Sequence, residues 1–126
     1  MNYRGVIIEE SLEDKSILKE VKILETEIEP VTKKHQTPWL KQWTIHTVEI
    51  RDAQAEEIAE KISQSLNSKD GWYADFKNNA IHFIIFHDKV FRVNRRNKKE
   101  YNRVKQYGLS LGVPDYQLNW EEISKK

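Results

Sequence analysis

The sequence predicts an α+β fold in which an antiparallel sheet of five to six strands packs against two main helices. Between Trp72 and Val93, three runs rich in aromatic and β-branched residues are separated by two-residue turns at Asn78-Asn79 and His87-Asp88. A segment with apolar residues at helical spacing flanks this three-stranded meander on each side. The length of 126 residues suits one domain, 1–126, with a sizeable core.

Composition restricts the classes of protein to which the chain can belong. It contains no cysteine, which excludes disulfides, thiolate metal sites and a cysteine nucleophile. No apolar run approaches the roughly 18 residues that span a bilayer, and the first residues lack the apolar segment of a signal peptide. We therefore expect a cytoplasmic protein, and no motif predicts a cofactor.

The first fifty residues predict three strands. Tyr3–Glu10 is short and β-branched, and Ser11 begins a capping box that predicts a brief helix to about Glu20. Val21–Val31 alternates in part with glutamates, which is typical of a half-exposed strand with an acidic outer face. Trp43–Ile50 is the clearest strand of this region.

Two amphipathic helices follow, one on each side of the meander. Asp52 is the expected N-cap of the first, whose apolar positions recur every three or four residues. These positions are Ala55, Ile58, Ala59, Ile62 and Leu66. The segment from Asn97 to Glu100 is a cap candidate for the last helix, and Gly108 its expected C′ residue. Tyr116–Trp120 is a candidate closing strand.

The order of these elements fits two known arrangements. From Trp43 onward it can be interpreted as a ferredoxin-like βαββαβ core whose second hairpin strand is split at His87-Asp88. Without the first strand, the same segment has the α-β-β-β-α order of a double-stranded-RNA-binding domain. Order alone does not separate the two interpretations.

The two turns also predict the register of the meander. A turn at Asn78-Asn79 places Asp75 opposite His82, and a turn at His87-Asp88 places His82 opposite Val93. One face would then carry Trp72, Ala74, Phe76, Ile81, Phe83, Ile85, Val90 and Arg92. The other would carry Tyr73, Asp75, His82, Ile84, Phe86, Phe91 and Val93. Since both faces are largely apolar, helices or a partner subunit should cover much of each.

Asp75 and His82 are the residue pair that most resembles a catalytic arrangement. A carboxylate beside an imidazole fixes its tautomer, which is how general bases are oriented, and Tyr73 lies on the same face. These three residues are the catalytic candidates, although a cross-strand Asp–His pair is also ordinary sheet stabilisation. With His46, the Asp75–His82 pair would make a two-histidine, one-carboxylate metal site if both histidines shared a face.

A basic segment follows the meander and predicts contact with an anion or nucleic acid. Its cations are Arg92, Arg95, Arg96, Lys98, Lys99, Arg103 and Lys105. Three of them crowd the predicted start of the last helix, where the helix dipole already favours anions. A solvated turn is the alternative interpretation, because no established nucleic-acid-binding motif is present.

Several stretches resemble a family of small prokaryotic proteins with no known activity. The resemblance is carried by Thr37–Ile50, by Trp72–Asn78 and by the segments around Phe91 and Tyr107. It implies a free-standing cytoplasmic domain and no catalytic residues. By element order and by His82, the chain is more loosely similar to small toxin ribonucleases.

The sequence thus leaves three hypotheses of function. The first is a non-enzymatic binding or regulatory domain, the second is nucleic-acid binding through Arg92–Lys105, and the third is a small hydrolase or nuclease that uses His82 and Asp75. If part of a sheet face stays uncovered by helices, we expect a homodimer through that face.

Overall fold

Six strands form one antiparallel sheet in the order β2-β3-β1-β4-β5-β6. The computed structural model describes residues 1–31, 40–69 and 71–118, apart from the side chain of Tyr116. The strands are β1 (Tyr3–Ile8), β2 (Lys22–Pro30), β3 (Gln42–Ile50), β4 (Tyr73–Lys77), β5 (Ile81–Phe86) and β6 (Lys89–Asn94). The helices are α1 (Ala55–Ser65) and α2 (Lys98–Ser110). The predicted α+β class, with up to six antiparallel strands and two helices, is confirmed.

The first strand lies in the middle of the sheet, between β3 and β4. Gly5 is opposite Val48 on one side and Phe76 on the other. A Cβ atom at Gly5 would lie 1.8 Å from the carbonyl oxygen of Asp75 and 2.4 Å from the Cα of Phe76. Only glycine therefore allows β1 to approach β4 this closely.

The two helices pack on opposite faces of the sheet. On the α1 face, α1 buries its apolar stripe against residues such as Ile7, Val48, Phe76 and Phe83. On the α2 face, Tyr101 and Val104 of α2 pack with the smaller cluster of Ile84, Phe86, Val93, Val113 and Leu118. The predicted division of the meander between two apolar faces is confirmed, and a helix covers each face of it.

This arrangement differs from both interpretations of the element order. In a ferredoxin-like core both helices pack on one face of the sheet, whereas α1 and α2 pack on opposite faces here, and β3 pairs with β1 and β2 instead of with a strand of the meander. The α-β-β-β-α order is present, but α1 and α2 do not form one layer. In addition, β1 is inserted between β3 and β4, so the strand before α1 does not pair with the strand after it.

The first hairpin turn lies one residue later than the sequence predicts. Lys77 is opposite His82 and Asp75 is opposite Ile84. The turn is centred on Asn79-Ala80, because the side-chain oxygen of Asn78 accepts hydrogen bonds from the backbone of Ala80 at 2.9 Å and of Ile81 at 2.8 Å. The pairing moves by two residues, so each side chain keeps its predicted face.

The second hairpin matches the prediction, and the predicted acidic strand is present but is exposed along its whole length. The turn at His87-Asp88 pairs His82 with Val93 and Ile84 with Phe91. Every residue of β2 is exposed, and β2 forms the edge of the sheet with Glu25, Glu27 and Glu29 on one side.

Several predicted helix ends are wrong. Asp52 begins a short 3-10 turn, and the N-cap of α1 is Gln54, which makes no side-chain cap bond. Asp14, not Ser11, caps the 3-10 segment Lys15–Lys19, and hydrogen bonds from Ser16 lower the pKa of the Asp14 carboxyl. Gly108 lies within α2, where Leu118 packs against it.

The predicted strand Tyr116–Trp120 is also wrong over the residues that the structure describes. Asp115–Leu118 forms a 3-10 segment, and residues 119 and 120 lie outside the described part of the chain. Among the described residues, no helix has the length and apolar character needed to cross a membrane.

We predict that Gly5→Ala lowers the free energy of unfolding by at least ~3 kcal/mol, because the new methyl group meets backbone atoms that cannot rotate away. Urea unfolding measures this loss. Gly112→Ala is the matched control, since a Cβ there meets nothing within 4 Å and only its φ of 86° is unfavourable. It should cost about 1 kcal/mol. Equal losses in the two variants would contradict the close approach of β1 and β4.

Candidate functional site

His82 lies at the centre of a buried hydrogen-bond network on the α2 face. Its side chain is 1% exposed. Its Nε2 lies 2.6 Å from the Asp75 carboxylate, and its Nδ1 lies 3.0 Å from the Tyr101 hydroxyl. Because a carboxylate only accepts, Nε2–H donates to Asp75, which leaves Nδ1 for the contact with the Tyr101 hydroxyl. The predicted contact of Asp75 and His82 is thus present, although it is diagonal and the two residues are not directly opposite.

This geometry joins β4, β5 and α2 and uses both nitrogens of the imidazole. A general base must have a nitrogen within reach of a substrate proton. His82 is buried, and both of its nitrogens are engaged. The third catalytic candidate, Tyr73, donates its hydroxyl proton to the carbonyl oxygen of Gln117 at 2.6 Å. The arrangement is that of a structural network that fixes the first turn of α2 on the sheet.

His46 belongs to a separate network on the other face. It is opposite Ile7 of the α1 face, whereas His82 lies on the α2 face, so the proposed metal site of His46, His82 and Asp75 is wrong. Its Nδ1 lies 2.8 Å from the Thr26 hydroxyl and its Nε2 lies 3.1 Å from Glu9. No group of three candidate metal ligands occurs in the described ranges of the chain.

Sequence reasoning missed the role of Glu9 and Glu10 in holding β2 and β3. Glu10 accepts hydrogen bonds from the backbone and the hydroxyl of Thr44, at 2.6 and 2.8 Å. Glu9 orients His46, which in turn contacts Thr26 of the edge strand. These contacts join residues far apart in the chain, and no local sequence pattern signals them.

The predicted basic segment does not form one surface. Arg92 lies on the α1 face, 6.0 Å from the ring of Phe83. Arg95 is half-buried, and its guanidinium donates to the carbonyl oxygen of Asn78. Lys105 pairs with Asp115 at 3.3 Å, and Arg103 is exposed further along α2.

The remaining cations lie together at the start of α2. Arg96, Lys98 and Lys99 are exposed and, with Asn94 and Asn97, line an open cavity of about 460 Å³. Asn97 caps the helix by accepting from the backbone of Glu100 at 3.1 Å, which confirms the predicted cap. The Glu100 carboxylate accepts from the backbone of Asn94 at 2.7 Å. We call the surface formed by the five cavity-lining residues the α2-start surface.

The electrostatics of the α2-start surface favour an anion. The first turn of α2 lies at the positive end of the helix dipole. Lys98 and Lys99 add positive charge to that same turn, which costs roughly 0.3–1 kcal/mol for each cation when no anion is bound. A phosphate in the cavity would offset this repulsion.

A second cavity, of about 180 Å³, lies near the opposite end of the meander. It is lined by Asn67, Ser68, Gly71, Trp72, His87 and Leu111. His87 there donates to the carbonyl oxygen of Leu66 at 2.9 Å. This volume is below the roughly 300 Å³ of ordinary small-molecule pockets.

A comparison with known proteins finds no matching family model, no similar curated protein and no similar solved structure. The functional conclusions below therefore depend on the geometry and charges of this chain alone.

We predict that Tyr101→Phe lowers the free energy of unfolding by about 1–3 kcal/mol, because Nδ1 of buried His82 loses its hydrogen-bond donor. Urea unfolding with an unchanged denaturant slope measures the loss. Tyr107→Phe is the control, since Tyr107 packs its ring on Phe86 and Phe91 and makes no hydroxyl hydrogen bond among the described residues. A Tyr101→Phe variant as stable as Tyr107→Phe would contradict the structural role of the network.

Proposed function

We propose that this protein is a cytoplasmic, non-enzymatic binding domain that binds the phosphate groups of a nucleic acid at the α2-start surface. The observation that carries the proposal is the placement of Arg96, Lys98 and Lys99 around an open cavity at the N-terminus of a 13-residue helix. Helix termini of this kind bind phosphate through backbone N–H groups and the helix dipole. The cations add the salt-dependent attraction of a polyanion.

The buried state of His82 supports a binding role over a catalytic one. The best catalytic candidate of the sequence has both ring nitrogens engaged with Asp75 and Tyr101. The exposed chemistry of the α2-start surface consists of cations and asparagine amides, which hold anions but supply neither a nucleophile nor a general base at neutral pH.

We predict that a single-stranded oligonucleotide binds with a steep salt dependence and that Arg96→Gln/Lys98→Gln/Lys99→Gln flattens the log–log slope by about 2. Each lost phosphate contact removes roughly 0.7 from the slope for a single strand. Fluorescence anisotropy at several salt concentrations measures the slope. The variant should weaken binding of all sequences alike, since phosphate contacts carry no sequence information.

Lys19→Gln/Lys69→Gln/Lys89→Gln is the matched control for this experiment. Each of its three lysines is exposed, and none lines the cavity of the α2-start surface. It removes the same net charge, so it should leave the slope within about 0.5 of the unmodified protein. An equal effect of both triple variants, or no binding at low salt, would refute the α2-start surface as the phosphate site.

Self-association is a second candidate function, and the uncovered part of the sheet favours it. On the α2 face, α2 covers β5 and β6, while Val6 of β1 is 38% exposed; Ile8 and Ile45 are half-buried and also contact the larger core cluster. We call the α2-face side of β1, β2 and β3 the open half. Burial of these apolar side chains against a second copy would form a two-fold homodimer.

The oligomeric state tests this second candidate directly. If the open half forms a homodimer, light scattering should give twice the mass of 15.0 kDa at micromolar concentration. Val6→Lys, which places a charge in the centre of the open half, should then produce a monomer. A monomeric parent protein at micromolar concentration would exclude this candidate.

A further inference from the structure

The two outer strands of the sheet have backbone groups that no described strand pairs with. β2 and β6 are the two ends of the strand order, and among the described residues no strand lies beyond either of them. Along an antiparallel ladder, the backbone groups of successive residues point alternately toward the neighbouring strand and away from it. The outward groups of an edge strand can therefore pair with a further strand.

On β2, the outward backbone groups belong to Thr26 and Ile28. The N–H of Val31 donates to the carbonyl oxygen of Lys41 at 3.1 Å, so Val31 points inward. Counting back from it by alternation makes the even-numbered residues of this stretch outward. The position of Pro30 agrees with this assignment, because a proline has no N–H and suits an outward position on an edge strand.

On β6, the outward backbone groups belong to Val90 and Arg92. The N–H of Arg95 donates to the carbonyl oxygen of Ala80 at 3.0 Å, so the odd-numbered residues of β6 point inward. Asn94 is also outward, and its N–H donates to a carboxylate of α2 at 2.7 Å. The hydrogen bonds between described residues do not engage the outward N–H groups of Val90 and Arg92.

One alignment joins the outward groups of the two edges and continues the sheet. In it, β6 of a second copy lies antiparallel to β2, with Arg92 opposite Thr26. Ile28, which is 59% exposed, then lies opposite Val90. Both of these apolar residues lie on the α1 face of their own sheet. Since opposite residues share a face, the α1 faces of the two copies become continuous.

The same alignment brings opposite charges together on the α2 face. Glu29 of β2 lies opposite Lys89 of the second copy, and Glu27 is its diagonal neighbour. All three side chains are exposed. Glu27 takes part in none of the ion pairs between described residues. The Lys89 ammonium lies 5.2 Å from the ring centre of Phe91, the residue that faces Glu27 in this alignment.

A second β2 strand does not match the β2 edge. Two antiparallel β2 strands joined at the same outward groups would place Glu27 opposite Glu27 and Glu25 opposite Glu29. A shift of two residues again places glutamates opposite each other. Because like charges in opposite positions are destabilising, charge complementarity favours β6 as the occupant of this edge.

We propose that copies of this protein associate head to tail, with β6 of one copy added to β2 of the next as a further strand of its sheet. The interface is heterologous, so each pair of copies keeps one free β2 and one free β6, and more copies can add. Because the free backbone groups on each edge are few, the association is weak and rises with concentration. It is independent of the phosphate site and differs from a two-fold dimer through the open half.

Two proline variants, each of which blocks one edge, test this proposal. Ile28→Pro and Arg92→Pro each remove one outward N–H and no bond within the sheet. Either variant alone should stay monomeric, whereas the mass of the parent protein should rise beyond that of a dimer. An equimolar mixture of the variants should stop at a 1:1 dimer of twice 15.0 kDa, because one intact β2 and one intact β6 remain. Sedimentation velocity from micromolar to millimolar concentration measures these masses.

Charge reversal keeps the experiment decisive if a proline disturbs the fold. Lys89→Glu and Glu27→Lys/Glu29→Lys should each prevent association, because each brings like charges together at the interface. A mixture of these two variants should associate again, since every mixed interface joins opposite charges. Val6→Lys is the control, because Val6 lies on β1 in the interior of the sheet and on neither edge. It should associate like the parent protein.

Three results would overturn the head-to-tail interface. The first is a parent protein that remains monomeric at millimolar concentration. The second is an Ile28→Pro or Arg92→Pro variant that dimerises alone, which would indicate a contact between identical surfaces. The third is loss of association in Val6→Lys, which would assign the contact to the open half. None of these results bears on phosphate binding at the α2-start surface.

Discussion

The position of β1 at the centre of the sheet is the constraint on which the rest of the structure depends. β1 is the first strand of the chain, yet it pairs with both β3 and β4 and joins the β2-β3 pair to the meander. The join requires a glycine at position 5, because the backbone of Asp75 and Phe76 occupies the space of any Cβ. The same pairing places Arg4 opposite Lys77 of β4 and Glu49 of β3.

Local patterns predicted the fold class and the faces of the meander because alternation and helical spacing are properties of short segments. The two turns of the meander show where prediction from local sequence patterns stops being reliable. His87-Asp88 gave the right register, whereas the Asn78 side chain bonds to the backbone ahead of it and moves the first turn to Asn79-Ala80. The insertion of β1 depends on pairings between residues far apart in the chain, which no local pattern contains. The same pairings place His46 and His82 on opposite faces of the sheet.

Two similar buried polar networks hold elements of the fold together. In each, a carboxylate and a hydroxyl hold a buried histidine: Asp75 and Tyr101 hold His82, and Glu9 and Thr26 hold His46. The first fixes α2 on the sheet and the second fixes the edge strand. Each ring nitrogen of the two histidines therefore has a hydrogen-bond partner. We propose that a ligand instead contacts the exposed cations around the start of α2.

The most direct test of this division between interior and surface is an NMR titration of the ¹⁵N-labelled protein with an eight-nucleotide single strand at low salt. The proposed function predicts that amide shift changes concentrate at Asn94–Lys99. It also predicts that the amides of α1, on the opposite face, remain unchanged. Shift changes centred on α1 or on the cavity beside Trp72 and His87, or no changes at all, would contradict binding at the start of α2.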